Sequence, residues 1–153
     1  MPGRPEYLCY TDGSCKPGDG APGGWGFFIR APSGPPIEGY GKAQPTLAKA
    51  MEYRAVAEAL AALPERARAV VFSDNLALVE NLSKRLDTWR VAAFAKVDPS
   101  IVESVRSIAA SVEAKNLVVK WQWVRAHNGN EGNERADALA AQGAREAKAD
   151  HRR

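Results

Sequence analysis

Residues 6–12 alternate in polarity. Leu8, Tyr10 and Asp12 face one way, and Tyr7, Cys9 and Thr11 the other, which predicts a first strand. Residues 16–26 are rich in glycine, hold Pro17 and Pro22, and read as a loop. Residues 25–31 read as a second strand. Pro32-Ser33-Gly34-Pro35-Pro36 is a turn, and residues 37–42 are a third strand. Short connections between three strands predict an antiparallel meander. Residues 47–63 are rich in alanine, lack internal glycine and proline, and predict a helix that Pro64 stops. The apolar run Ala69-Val70-Val71-Phe72 predicts a fourth strand over 69–74. A helix is expected over 75–85, a short helix over 86–96, and another opening at Asp98-Pro99 and running to 114. Residues 117–124 alternate again, with Leu117, Val119, Trp121 and Trp123 on one face, and predict strand five. A loop over 125–132 leads into a last helix over 133–148.

A meander followed by β-α-β-α units gives an α/β domain. The expected architecture is a five-stranded mixed sheet, order 3-2-1-4-5, with helices on both faces. Topology then gathers particular residues. Strands one and four run parallel because a helix crosses between them, so their carboxyl ends share one edge of the sheet. Those ends carry Asp12 and Asp74. The first long helix starts at the same edge with Glu52 near its beginning. If strand five is also parallel, the loop with His127 and the helix with Asp137 arrive there too. Ligand sites favour the carboxyl ends of strands, where connections switch direction.

Each acid also fits a plainer reading. Asp12-Gly13 is turn chemistry, Asp74 a helix cap, Glu52 an acid favoured by a helix dipole, and Asp137 a solvated helical residue. Glu52, however, lies on the apolar stripe of Val56, Ala59, Leu60 and Leu63, where an unpartnered carboxylate is costly. Aspartate is also a mediocre helix former in an alanine-rich run. Converging carboxylates raise one another's pKa, and divalent cations remove that penalty. All-oxygen donors favour Mg²⁺ or Mn²⁺ over Zn²⁺. Two such ions about 4 Å apart suit in-line attack of water on a phosphodiester.

Composition narrows the field modestly. The chain has 153 residues, 45% of them hydrophobic, enough for one domain over residues 1–153 with an ordered core over about 6–148. A net charge of +3 permits a polyanionic partner without demanding one. The two cysteines, Cys9 and Cys15, offer no disulfide framework or zinc set and read as packing residues. With no signal peptide and no long apolar span, the expectation is a cytoplasmic protein without membrane contact. Nothing points beyond a monomer. The glycine loop is not a P-loop, since no Gly-Lys-Ser/Thr follows.

The ordered set of motifs resembles type 1 ribonuclease H, the bacterial form in particular. It comprises Thr11-Asp12-Gly13-Ser14-Cys15, Pro22-Gly23-Gly24-Trp25-Gly26, Met51-Glu52 and Ser73-Asp74. Trp121-Gln122-Trp123-Val124-Arg125-Ala126-His127 and Asn133-Glu134-Arg135-Ala136-Asp137-Ala138-Leu139-Ala140 complete it. The resemblance implies the same 3-2-1-4-5 fold. It implies a hydrolase that cuts the RNA strand of RNA–DNA hybrids with two Mg²⁺ ions, Mn²⁺ being a possible substitute, and leaves 3′-hydroxyl and 5′-phosphate ends. No small-molecule cofactor is implied. By position, Asp12 would bridge both metals and Asp137 would help hold the ion that activates water. Glu52 and Asp74 would hold the ion on the leaving-group side, with Glu52 close to the 2′-hydroxyl. His127 would assist proton transfer or product release. The 2′-hydroxyl is what distinguishes RNA from DNA in a wide, shallow minor groove, and a glycine-rich loop lets backbone approach it.

The chain departs from the family pattern in places. Leu47-Ala48-Lys49-Ala50 stands where an asparagine-bearing polar stretch is usual, and Leu76 stands where a polar residue is common. Thr46 and Lys49 are expected to substitute in part. The family's basic handle is only mildly basic here, with Lys84, Arg85, Arg90 and Lys96 around Trp89, and a solvated helix face explains those charges nearly as well. With Gly13, Ser14 and Asn133, the residues Thr46, Lys49, Lys84, Arg85, Trp89 and Arg90 form the expected substrate contacts. Two other readings stand beside this one. A non-catalytic module binding hybrid or double-stranded RNA would not need four carboxylates against a polyanion. A related nuclease acting on DNA, such as a resolvase or integrase, fits the His127 and Asp137 arrangement and the Thr-Asp-Gly-Ser motif less well.

Overall fold

A computed structural model of the protein describes residues 6–17, 21–126 and 129–151. The element order is β1 (Glu6–Cys15), β2 (Gly23–Arg30), β3 (Ile37–Ala43), α1 (Ala48–Ala61), β4 (Arg68–Ser73), α2 (Leu76–Val91), α3 (Val102–Ala114), β5 (Val118–Trp123) and α4 (Glu131–His151). The five strands form one mixed sheet in the order β3-β2-β1-β4-β5. β2 runs antiparallel to β1 and β3, and β4 runs parallel to both β1 and β5. Both features match the expectation drawn from the alternation and the crossover helices.

The two faces differ in how they are covered. Cys9, Phe27, Ile29, Ala69 and Val71 of the sheet pack with Tyr53, Val56 and Leu60 of α1, Leu78 and Leu82 of α2, and Val105 and Ile108 of α3 in one apolar core. Among the described residues, α4 alone covers the other face, and does so through glycines. A Cβ on Gly24 would stand 2.3 Å from the Ala140 carbonyl oxygen, and one on Gly143 would stand 2.1 Å from that of Gly41. Helix and sheet therefore meet backbone to backbone, a separation that only residues without side chains permit.

β1 is longer than the sequence suggests. It continues through Asp12 to Cys15, because Asp12 pairs with Gly26 and Cys15 with Gly23. Ladder bonds need only backbone groups, so the glycine-rich segment serves as strand where it has a partner. The register with β4 is pinned by side chains. Tyr10 lies opposite Phe72 with ring centroids 4.6 Å apart, and the Thr11 hydroxyl donates to the Phe72 carbonyl at 3.0 Å.

The expected short helix over 86–96 is absent as a separate element. α2 runs unbroken from Leu76 to Val91, because Leu78, Leu82, Leu86 and Trp89 keep one apolar stripe in helical register against the core. It ends when Ala93 and Phe94 take positive φ values of 54° and 63°, which carries the Phe94 ring back onto the core. The helix expected from Asp98 begins only at Val102. The Asp98 carboxylate instead accepts from the Ser100 N–H and hydroxyl, both at 2.9 Å, closing a turn ahead of the helix.

Candidate metal centre

Asp12 lies on β1 just beyond Tyr10, where the pairing with β4 ends, and only 7% of its surface is exposed. One carboxylate oxygen accepts the Gly13 N–H at 2.9 Å. Gly13 is itself a packing requirement: a Cβ there would sit 2.4 Å from the Glu52 amide nitrogen. The missing side chain lets α1 approach β1 and brings Glu52 beside Asp12. Asp74 follows β4 in the tight turn before α2. The Trp123 indole N–H donates to the Asp74 carbonyl at 3.2 Å, tying that turn to the end of β5.

Asp12, Glu52 and Asp74 each place a carboxylate oxygen within 4.8 Å of the other two. Asp137 comes from α4 on the opposite face and lies close enough to Asp12 to raise its pKa. It does not join the tight trio. Asp12 is therefore the common member, touched from both faces of the sheet. Burial first, then the charge of Asp74 and the contact with Asp137, push its carboxyl up to about 8, opposed by the Gly13 N–H. Burial also raises Glu52, against which a hydrogen bond from Asn75 acts.

Asn75 carries a role that inspection of the sequence missed. It is the cap of α2, its Oδ1 accepting the Leu78 N–H at 3.0 Å. The cap is thus Asn75 and not Asp74. Its Nδ2 donates to Glu52 Oε2 at 2.5 Å. An asparagine directly before a helical run was the available signal; its second bond depends on a residue 23 positions earlier.

The remaining expected residues divide. His127 lies outside the described residues. Ser14 pairs with Gly24 on the ladder. Thr46 is anchored by its N–H to the Ala21 carbonyl at 3.1 Å and accepts from the Cys15 thiol at 3.3 Å. Lys49 pairs with Asp98 at 2.9 Å and lines a cleft with Arg85, Trp89 and Lys96. Lys84 and Arg90 do not share that cleft. Lys84 borders a groove with Val119 and Trp121, and Arg90 one with Ala109 and Glu113. Because α2 is one continuous helix, successive residues diverge around its axis, and the basic set does not form one face. Asn133 is buried at the start of α4, its N–H bonded to Asn130 Oδ1 at 3.0 Å. Leu47 and Leu76, at the starts of α1 and α2, are 58% and 50% exposed.

A family model described as RNase H matches residues 4–145. The chain belongs to the RNase H family. It is 38% identical to a ribonuclease H of Cupriavidus metallidurans over 139 residues, 90% of this chain and 94% of that protein. It is also 38% identical to a ribonuclease H of Bordetella pertussis over 135 residues, 88% and 86% of the two chains. Among solved structures, the fold superposes on LC9-RNase H1, a type 1 RNase H with the type 2 active-site motif. The TM-score is 0.78 at 23% identity, covering 96% of this chain and 75% of that one. It also matches a prototype foamy virus protease–reverse transcriptase, with a TM-score of 0.74 at 26% identity over 94% of this chain and 21% of that one. As an RNase H the protein is a metal-dependent endonuclease that cleaves RNA in RNA–DNA hybrids. Among the described residues, no helix is long and apolar enough to cross a membrane.

Proposed function

We propose that Asp12, Glu52, Asp74 and Asp137 form the metal-holding catalytic set, and that the ions are two Mg²⁺, with Mn²⁺ able to replace them. The observation that carries this reading is the trio of carboxylates within 4.8 Å, one of them nearly buried. The influences on Asp12 are burial and other acids, opposed by a single backbone N–H. Such a cluster is costly when ionised, and a hard divalent cation with oxygen ligands removes the cost. When bound, two such ions supply an activated water and stabilise the departing oxygen of a phosphodiester.

The residues divide the work by position. Asp12, which meets both the trio and Asp137, would be shared between the ions. Glu52 and Asp74 would serve the leaving-group side, and Asp137 the side of the attacking water. Glu52 would also lie near the 2′-hydroxyl of the strand to be cut. His127 would move a proton at the departing 3′-oxygen or help release the product. Cleavage would leave 3′-hydroxyl and 5′-phosphate ends, and the protein would act as a cytoplasmic monomer.

The deciding experiment offers one labelled RNA strand as hybrid, RNA duplex and single strand, with Mg²⁺ and with chelator, beside the Asp74→Asn variant. The expected result is metal-dependent cutting confined to the hybrid, reduced at least about 10²-fold in the variant. Binding of hybrid without cutting by the unaltered protein would favour a binding module instead. The exposed Leu47 and Leu76 beside the site would then be the first residues to examine.

A further inference from the structure

Asn75 uses both ends of one amide. Its oxygen accepts the Leu78 N–H at 3.0 Å and closes the first turn of α2. Its nitrogen donates to Glu52 Oε2 at 2.5 Å. Its own backbone N–H donates to the Ser73 hydroxyl at 3.1 Å. These bonds fix the amide's orientation, since a flipped amide would set its oxygen against the Glu52 carboxylate and its NH₂ against the Leu78 N–H. Glu52 approaches from α1, whose start lacks a side-chain cap.

We infer that Asn75 is a positioning residue for Glu52: one side chain caps α2 and holds the Glu52 carboxylate within the acidic trio. The inference rests on the metal-site reading above. A long glutamate side chain has three rotatable bonds, and a donor anchored to a helix terminus removes much of that freedom before a cation arrives. Groups that orient a ligand in this way commonly govern metal affinity about as visibly as the ligand does. Asn75 also makes the trio depend on α2: if the first turn of that helix shifts, the donor to Glu52 shifts with it. Two of the three carboxylates are then set by one short segment, Asp74 by its place in the turn and Glu52 through the residue that follows.

The capping and holding roles separate by substitution. In Asn75→Ser the shorter hydroxyl remains a good helix cap but no longer reaches Glu52. Mn²⁺ binding to the full chain, followed by titration calorimetry and by the ion's paramagnetic resonance signal, reads the site without substrate. The expected result is a Kd for Mn²⁺ raised about 10-fold, with the melting temperature in chelator nearly unchanged. Under turnover, kcat falls while KM for the hybrid holds. In a Glu52→Ala background, Asn75→Ser should add no further loss of affinity, because the donor has nothing left to hold. Unchanged Mn²⁺ affinity in Asn75→Ser, or an equal loss with and without Glu52, overturns the inference. An unaltered protein that binds no Mn²⁺ overturns the metal-site reading and this inference together, a result distinct from intact binding that ignores Asn75.

Discussion

Asp12 shows how far one residue can be bent from its usual chemistry. Its carboxyl is carried from 3.8 to about 8 by burial, Asp74 and Asp137. An acid whose folded pKa lies above its unfolded value favours the folded state fully below the unfolded pKa. That contribution is lost as pH rises through the folded one. The metal-free protein should therefore lose stability between about pH 4 and pH 8 from this group. Saturating Mg²⁺ should flatten the slope by binding the ionised form. Asp12→Asn should abolish metal-dependent cleavage while stabilising the metal-free fold at pH 8 by about 1–3 kcal/mol. Urea unfolding in chelator at several pH values measures both, and a flat profile for the unaltered protein would contradict the account. The nearness of Asp12, Glu52 and Asp74 was legible because topology assigned each to one edge of the sheet. Asn75 was not, because nothing at its own position foretells a partner on α1.

At the scale of elements, the strands were readable from alternation and the helices were less so. The junction near residue 86 carries no glycine or proline, and the apolar stripe through Leu86 and Trp89 was the better guide to one long helix. Gly23 and Gly24, ahead of the strand expected from residue 25, looked like loop because glycine leaves no periodic trace, yet both are β2 residues. The purpose of Gly24, and of Gly26 beside it, emerges only with α4 in place. A methyl group on Gly143 would lie 2.1 Å from the Gly41 carbonyl oxygen, a contact between backbones that no rotamer change relieves. Gly143→Ala should therefore cost about 2–4 kcal/mol in urea unfolding. On the metal-holding set proposed above it should also weaken metal binding, since Asp137 rides on the displaced helix. A variant with an unchanged urea midpoint would mean that α4 shifts freely on the sheet.

The whole molecule carries its modest positive charge in scattered form. Lys49 is paired with Asp98, and Arg85, Lys84 and Arg90 border different grooves. Few cations are therefore placed to meet one nucleic-acid backbone together. The hybrid's KM should rise with salt, with a log–log slope of only about 2–4, the signature of a few phosphate contacts. Steady-state kinetics across a salt series measures it, and a salt-independent KM would remove electrostatic binding from the description. The general polarity of the chain anticipated a weak handle. The scatter of its charges lies along one continuous helix, where the sequence reading expected two.

The glycine seam under α4 also has a consequence for biosynthesis. All five strands and the first three helices precede α4 in the chain. A growing polypeptide can thus pair its strands and bury one face of the sheet while the other, with its row of glycines, stays bare. Asp137 and the cover for that face are delivered together by the same late segment. On the metal-holding set proposed above, the cutting edge is completed only when α4 seals the second face, so the two arrive in one step.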